Sequence, residues 1–246
     1  MKLYQIILAL ALPVFLGCTT STSRQKNTSE TTADTNVYGQ MNATNDGIGK
    51  TYYGREIAHV MGFGGASWLE RDERQEEENT ALAISKLPIT ASSVVADIGA
   101  GTGYYTFRIA TKVPQGKVYA VDVQDESVQF LQKKTQQLGL KNVEVVKGSA
   151  QSPNLPDASV DLAIIVDVYH ELEFPHEMLQ SLRKSLKADG KILLLEYRKE
   201  DPSIPIKELH KLSVAQANKE MAANGFKLIQ RGDFLPIQHF LVYQKE

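Results

Sequence analysis

Asp97, Gly99, Gly101 and Gly103 fall within residues 97–103, and Asp122 follows at about the twenty-residue distance at which an acidic side chain accepts hydrogen bonds from a ribose. Alternate glycines let the backbone take positive φ and lie against a ligand, where a Cβ would obstruct both. The combination is suited to holding a nucleotide-like group. A second concentration of reactive side chains is Asp167-Val168-Tyr169-His170-Glu171. His170 ordinarily titrates close enough to neutrality to take a proton from a nucleophile, which makes it the candidate general base. Tyr169 either presents an aromatic face to a cation and orients a substrate, or packs in the core. The five histidines, His59, His170, His176, His210 and His239, show no i,i+4 pairing, so no metal centre is expected. Cys18 is the single cysteine, which excludes an intramolecular disulfide.

These groups need strand ends to hold them. Residues 94–98 are an apolar run of the kind buried on both faces of a sheet, turning at the glycines into a helix that begins near Tyr104. Further strands are predicted at 117–121, 143–147, 160–168 and 191–197, separated by amphipathic helices. One of these carries Val128, Leu131 and Leu138 and ends at Gly139; another, around 177–187, carries Leu179, Leu182 and Leu186. Ser213 and Gln216 form a capping box for a last helix, and the loop 202–212 before it is expected to be solvated. Residues 226–230 and 238–243, close together around Gly232 and Pro236, suit an antiparallel hairpin. The alternation predicts an α/β fold, a doubly wound Rossmann-like sheet of seven mostly parallel strands closed by a C-terminal antiparallel hairpin and preceded by N-terminal helices. Ligands in such sheets bind beyond the carboxyl ends of the strands at the switch point, where Tyr169 and His170 would lie.

Asp-Ile-Gly-Ala-Gly-Thr-Gly, residues 97–103, resembles the first motif of the class I S-adenosylmethionine-dependent methyltransferases, and the resemblance runs from about residue 86 to the C-terminus. A dinucleotide fingerprint would have glycine where Tyr104 stands, which counts against NAD or FAD. The resemblance implies S-adenosylmethionine as cofactor. Gly99, Gly101 and Gly103 would approach its methionine part, Asp97 would support the loop and Asp122 would hold both ribose hydroxyls. Ser149 stands after the third strand, where related enzymes often carry an acidic residue against the adenine amino group, and Asp167 completes the implied cofactor set at the end of the fourth. No Asn/Asp-Pro-Pro-aromatic signature follows that strand, so a small-molecule acceptor is expected rather than a nucleobase. Two other readings stay open: a surface-tethered protein that binds an S-adenosyl ligand without turnover, and an NAD-dependent oxidoreductase, disfavoured by Tyr104 and the closing hairpin.

A net charge of −2 over 246 residues gives no electrostatic reason to expect nucleic acid as a partner. Residues 1–18 read as a lipoprotein-type signal, with a short apolar run ending in Val-Phe-Leu-Gly-Cys, so that Cys18 would be acylated and would anchor the chain at a bacterial cell envelope, facing the periplasm or exterior. If the signal is not used, the chain stays in the cytoplasm, where S-adenosylmethionine is made. Residues 19–46 are polar and read as a disordered tether; roughly 28 such residues span about 30 Å. A helical cap is expected over 47–87, ahead of the catalytic domain at 88–246. Ser67 and Glu70 suggest a capping box, and 71–78 a solvated helix face with Glu70–Arg74 and Arg74–Glu78 pairs. The alternative is a lid with Tyr53, Arg55, His59 and Trp68 facing the substrate. The oligomeric state is not legible in the sequence.

Overall fold

The computed structural model describes residues 37–246; the signal sequence, Cys18 and positions 19–36 of the proposed tether lie outside the described residues. The described chain opens with a three-stranded antiparallel sheet in the order β1 (Tyr38–Gln40), β2 (Gly47–Tyr52), β3 (Arg55–Ala58). This corrects two expectations, since residues 37–46 are structured and 47–58 are strand rather than helix. Tyr53 and Gly54 both have positive φ, 47° and 90°, which is the backbone of a two-residue type I′ hairpin turn. Tyr52 and Ile57 are buried with Val37 in a small apolar cluster, and the ring of Tyr38 lies 5.3 Å from that of Tyr52. Arg55 fixes this sheet to the rest of the molecule by a fork-like pair of bonds to Glu220, at 2.8 and 2.9 Å.

Three short helices follow: α1 (Ala66–Leu69), α2 (Arg74–Glu78) and α3 (Thr80–Ser85). Asn79, at φ 53°, ends α2 and starts α3, its side chain accepting from the Leu82 N–H. The capping box expected at Ser67 does not form. The residue before α1 is Gly65, with no side-chain cap, and Glu70 reaches Lys134 at 3.6 Å instead.

The main sheet contains β4 (Val94–Ile98), β5 (Lys117–Asp122), β6 (Val143–Lys147), β7 (Val160–Val166), β8 (Leu186–Arg198), β9 (Lys211–Leu212), β10 (Phe226–Gly232) and β11 (Gln238–Lys245). Its order is β10-β11-β8-β7-β4-β5-β6, parallel except where β11 pairs antiparallel with β8 and β10. The fold is thus the expected α/β sheet with an antiparallel C-terminal pair. It has one strand more than expected, because Lys211 and Leu212 pair parallel with Tyr197 and Arg198. Helices α4 (Tyr104–Ala110), α5 (Asp125–Gln137), α6 (Pro175–Ser185) and α7 (Val214–Ala222) complete the layers. Ser213 caps α7 through the Gln216 N–H at 3.1 Å, while the Gln216 side chain turns to Glu220 rather than back.

Each face of the sheet has its own core. Leu179 and Leu182 of α6 and Met221 of α7 cover one face, and Ala83 and Ile84 of α3 with Ile109 of α4 cover the other. Each Leu or Ile so buried contributes about 1.5–3 kcal/mol over exposure, which holds the strand ends in register. The chain runs from β4 outward through β5 and β6, then returns to β7 on the other side of β4, so the switch point lies between β4 and β7.

Candidate active site

The glycine loop leaves β4 at that switch point. Gly99, Gly101 and Gly103 have φ of 74°, 55° and 77°, the region that favours glycine. A Cβ on Gly99 would also sit 2.7 Å from Val168 Cγ2. The loop is pinned from β5: the N–H groups of Gly99 and Ala100 donate to the Val121 carbonyl, and the Gly101 N–H donates to Asp122 Oδ2 at 2.9 Å. The other oxygen of Asp122 accepts the Gln124 N–H, also at 2.9 Å. Each carboxylate oxygen therefore spends one acceptor position on the backbone and retains another, and Asp122 lines a cleft of about 690 Å³. A vicinal diol is the complement of that carboxylate, so the residues present fit the ribose of a nucleoside cofactor.

Gly99, Gly101, Asp122, Ser149 and Asp167 line the cleft. Asp97 and Gly103 do not: they stand behind the loop. Gly103 packs against Phe107 and Leu131, and Asp97 accepts a 2.6 Å hydrogen bond from Thr106 Oγ1 in α4. Burial pushes the Asp97 carboxyl up to about 6, against the Thr106 bonds. Ser149 is exposed, and its Oγ accepts the Ser152 N–H at 3.0 Å in a turn.

Residues 71–78 are solvated on one side, at Asp72, Glu73 and Gln75 to Glu77, and the expected Arg74–Glu78 pair forms, but on the buried side. Arg74 and Glu78 are 3% and 0% exposed, joined at 2.8 Å, and both line the cleft. Glu78 also takes a bond from the Tyr197 hydroxyl at 2.9 Å and pairs with Arg71 at 2.7 Å. The Arg74 guanidinium lies 4.0 Å from Asp167 and 4.4 Å from the centre of the Tyr104 ring. Tyr104, where a dinucleotide site would have glycine, is thus the shelf on which the N-terminal segment closes. Asp167 is held by Gln238 Nε2, 2.9 and 2.8 Å from its two oxygens. Burial and the carboxylates of Glu78 and Glu196 push its pKa well up, with Arg74 opposing. The expected Glu70–Arg74 pair is replaced by the Glu70–Lys134 contact. Of the four residues of the alternative lid, His59 and Trp68 line the cleft. Arg55 is turned to Glu220 and to the His170 carbonyl, and Tyr53 occupies the hairpin turn.

Beyond β7, a 3-10 turn over Tyr169–Glu171 carries the second group. Tyr169 is packed in the core beneath the site, its N–H donating to Glu196 Oε1 at 2.7 Å, so it presents no face to a bound cation in the cleft. His170 does line the cleft, but it is 1% exposed and fully engaged. Its Nδ1 lies 2.6 Å from Glu196 Oε2 and its Nε2 lies 3.0 Å from His210 Nδ1. Burial alone would lower its pKa; Glu196 and Glu171 outweigh that and raise it to about 10. With one ring nitrogen on Glu196 and the other on His210, His170 has no free nitrogen aimed at an acceptor, so the geometry lends the general-base expectation no support.

The expectation of scattered histidines is corrected. His170, Glu171 and His210 come together although His210 lies forty residues further on, because the parallel pairing of β9 with β8 returns the chain to this edge. An i,i+4 search sees only ligands on one helix turn. Arg74, Glu78, Glu196 and His210 are the site residues to which sequence reasoning gave no part in the site. For the first pair the i,i+4 spacing was visible, and its burial was not.

A family model described as a methyltransferase domain matches residues 89–240. The uncharacterized methyltransferase YcgJ of Bacillus subtilis (strain 168) is 31% identical over 137 residues, 54% of this chain and 53% of that protein. The probable cobalt-precorrin-6B C(15)-methyltransferase (decarboxylating) of Sulfurisphaera tokodaii is 32% identical over 128 residues, 51% of this chain and 65% of that one. The chain spans about half the length of several of the curated relatives it matches. Among solved structures, a SAM-dependent methyltransferase from Aquifex aeolicus has a TM-score of 0.71 at 24% identity, covering 76% of this chain and 100% of that chain, a likeness of fold. The chain belongs to the methyltransferase domain family, whose cofactor is S-adenosylmethionine.

Proposed function

We propose that the protein transfers a methyl group from S-adenosylmethionine to a small molecule held in the cleft between the glycine loop and the segment before β9. The observation that carries this is Asp122, whose carboxylate is braced by two backbone N–H groups and keeps acceptor capacity on the wall of the cleft. When bound, S-adenosylmethionine supplies a methyl group already activated on a sulfonium. The chain's own residues then bind, align and exclude water. Asp122 accepts from the ribose hydroxyls, and the glycines let the loop backbone approach without a Cβ. Met61, Phe63, Trp68, Leu69 and Ile206 give the cleft apolar lining. His170, fixed by Glu196, stands on the wall of the cleft. A cleft of about 690 Å³ favours an acceptor of small-molecule size.

Methyl-labelled S-adenosylmethionine incubated with the protein and a panel of hydroxyl, thiol and amine acceptors tests the reading. Labelled product formed together with S-adenosylhomocysteine is expected. Cofactor binding with no transfer to any acceptor class would instead favour the tethered binding protein. We also propose that the chain is exported and acylated at Cys18 at the cell envelope.

A further inference from the structure

Three cleft-lining donor atoms converge where the methyl-transfer reading assigns no work: His170 Nε2, His210 Nδ1 and Glu171 Oε1. The two nitrogens are 3.0 Å apart, and Glu171 Oε1 lies 3.7 Å from His170 Nε2 and 3.5 Å from His210 Nδ1. The two carboxylate separations exceed the 2.7–3.2 Å usual for a hydrogen bond. They suit co-ligands instead. A point equidistant from three atoms so separated lies about 2.0 Å from each, which is the length of a zinc–nitrogen or zinc–oxygen bond.

The outer atoms of the trio are braced as ligands require. His170 Nδ1 is 2.6 Å from Glu196 Oε2, so with Nδ1–H donating to the carboxylate it is Nε2, hydrogen-bonded to His210 in the metal-free protein, that turns a lone pair to an ion once the ion displaces its proton. Glu171 Oε2 accepts the Met61 N–H at 3.1 Å, which leaves Oε1 to the trio. His210, 22% exposed at its side chain, gives a route in from the cleft. We propose that His170, Glu171 and His210 bind one divalent transition-metal ion of the zinc class through two imidazole nitrogens and one carboxylate oxygen. Its remaining coordination position is open to the cleft. Two histidines and one carboxylate with an open position are a donor set that binds water or substrate. The ion's role rests on the methyl-transfer reading: it selects an acceptor that coordinates through a hydroxyl or thiol, whose acidity the ion raises. The binding itself is independent of that reading.

The test titrates cobalt(II) chloride into untagged, chelator-stripped full-length protein, followed by visible absorption and equilibrium dialysis. S-adenosylmethionine affinity is measured on the same preparations by calorimetry. One cobalt per chain is expected, with four-coordinate d–d bands that zinc displaces. Affinity falls at least 100-fold in Glu171→Gln and His210→Ala, and about 10- to 100-fold in Glu196→Gln, the loss usual for an outer-shell partner. His210→Ala alters the most exposed member and serves where the buried variants fail to fold. No saturable uptake by folded wild-type protein, or uptake unchanged in His210→Ala, overturns the proposal. S-adenosylmethionine binding without cobalt uptake refutes the ion site alone, whereas cobalt uptake without S-adenosylmethionine binding supports the site and contradicts the methyl-transfer reading.

Discussion

Replacing Arg74 by methionine keeps an apolar stem and removes a guanidinium that is 3% exposed, 2.8 Å from Glu78 and 4.0 Å from Asp167. A solvated ion pair would lose no more than about 1 kcal/mol. Here Glu78 has no exposure, so its charge stays buried with only Arg71 and the Tyr197 hydroxyl as polar partners. Breaking a buried pair costs about 3–5 kcal/mol, to which the Tyr104 cation–π contact adds about 0.5–2 kcal/mol. At roughly 2–4 °C per kcal/mol for a domain of this size, Tm falls by about 10 °C or more. The deficit depends on pH with a definite sign. The Asp167 pKa is raised in the folded state, so its contribution is complete below the unfolded pKa and is lost as pH rises through the folded one. Removing Arg74 raises that folded pKa further, so the deficit widens as pH rises through the wild-type folded pKa of Asp167. Glu78→Gln in the Arg74→Met background restores part of the loss by removing a buried charge left with Arg71 as its cationic partner. Scanning calorimetry of the single and double variants is the assay. A Tm change of 2 °C or less on the rough scale above would refute the buried clamp.

Asp97→Asn removes a carboxyl that burial raises to about 6: the wild-type contribution is full below its unfolded pKa near 3.8 and lost as pH rises through about 6. Denaturant titrations at about pH 4 and pH 8 should show the variant gaining up to about 3 kcal/mol on wild type, and parallel changes would contradict this. Gly99→Ala meets positive φ and the Val168 methyls together, so it destabilises by roughly 1–2 kcal/mol from backbone strain plus crowding. Adding Val168→Ala should relieve the crowding and leave the strain, and equal Tm in wild type and Gly99→Ala would count against the tight loop. Labelled palmitate should enter the wild-type chain and not Cys18→Ser; no label in wild type ends the anchoring proposal.

The central strands were legible because 94–98, 117–121 and 160–166 are nearly unbroken apolar runs, and Asp122 because it ends the second at a fixed distance from the glycines. The first sheet was not. Its strands are short and mixed, and its turn places a tyrosine, Tyr53, at positive φ, which no turn rule expects. Tyr38 and Asp46 sit in polar surroundings that read as tether, yet one packs on Tyr52 and the other lines the cleft and pairs with Lys207. Arg74 and Glu78 show the limit of spacing arguments: i,i+4 geometry is the same whether a helix faces water or a cleft. His170 was visible as a strand-end histidine, but its raised pKa comes from Glu196 and Glu171, and the former is contributed by a different strand. His210 needed β9, a two-residue pairing with too little sequence to carry a periodicity.

The central claim is a cofactor cleft closed by Asp122, and calorimetric titration of S-adenosylmethionine and S-adenosylhomocysteine into wild type and Asp122→Ala tests it most directly. Hydrogen bonds to a charged carboxylate are worth about 1.5–3 kcal/mol each, so losing one of them weakens binding roughly 10- to 150-fold and losing two weakens it further. Saturable one-to-one binding in wild type with that loss in a variant that remains folded is the predicted result. No binding by folded wild-type protein, or equal affinity in Asp122→Ala, would contradict the account.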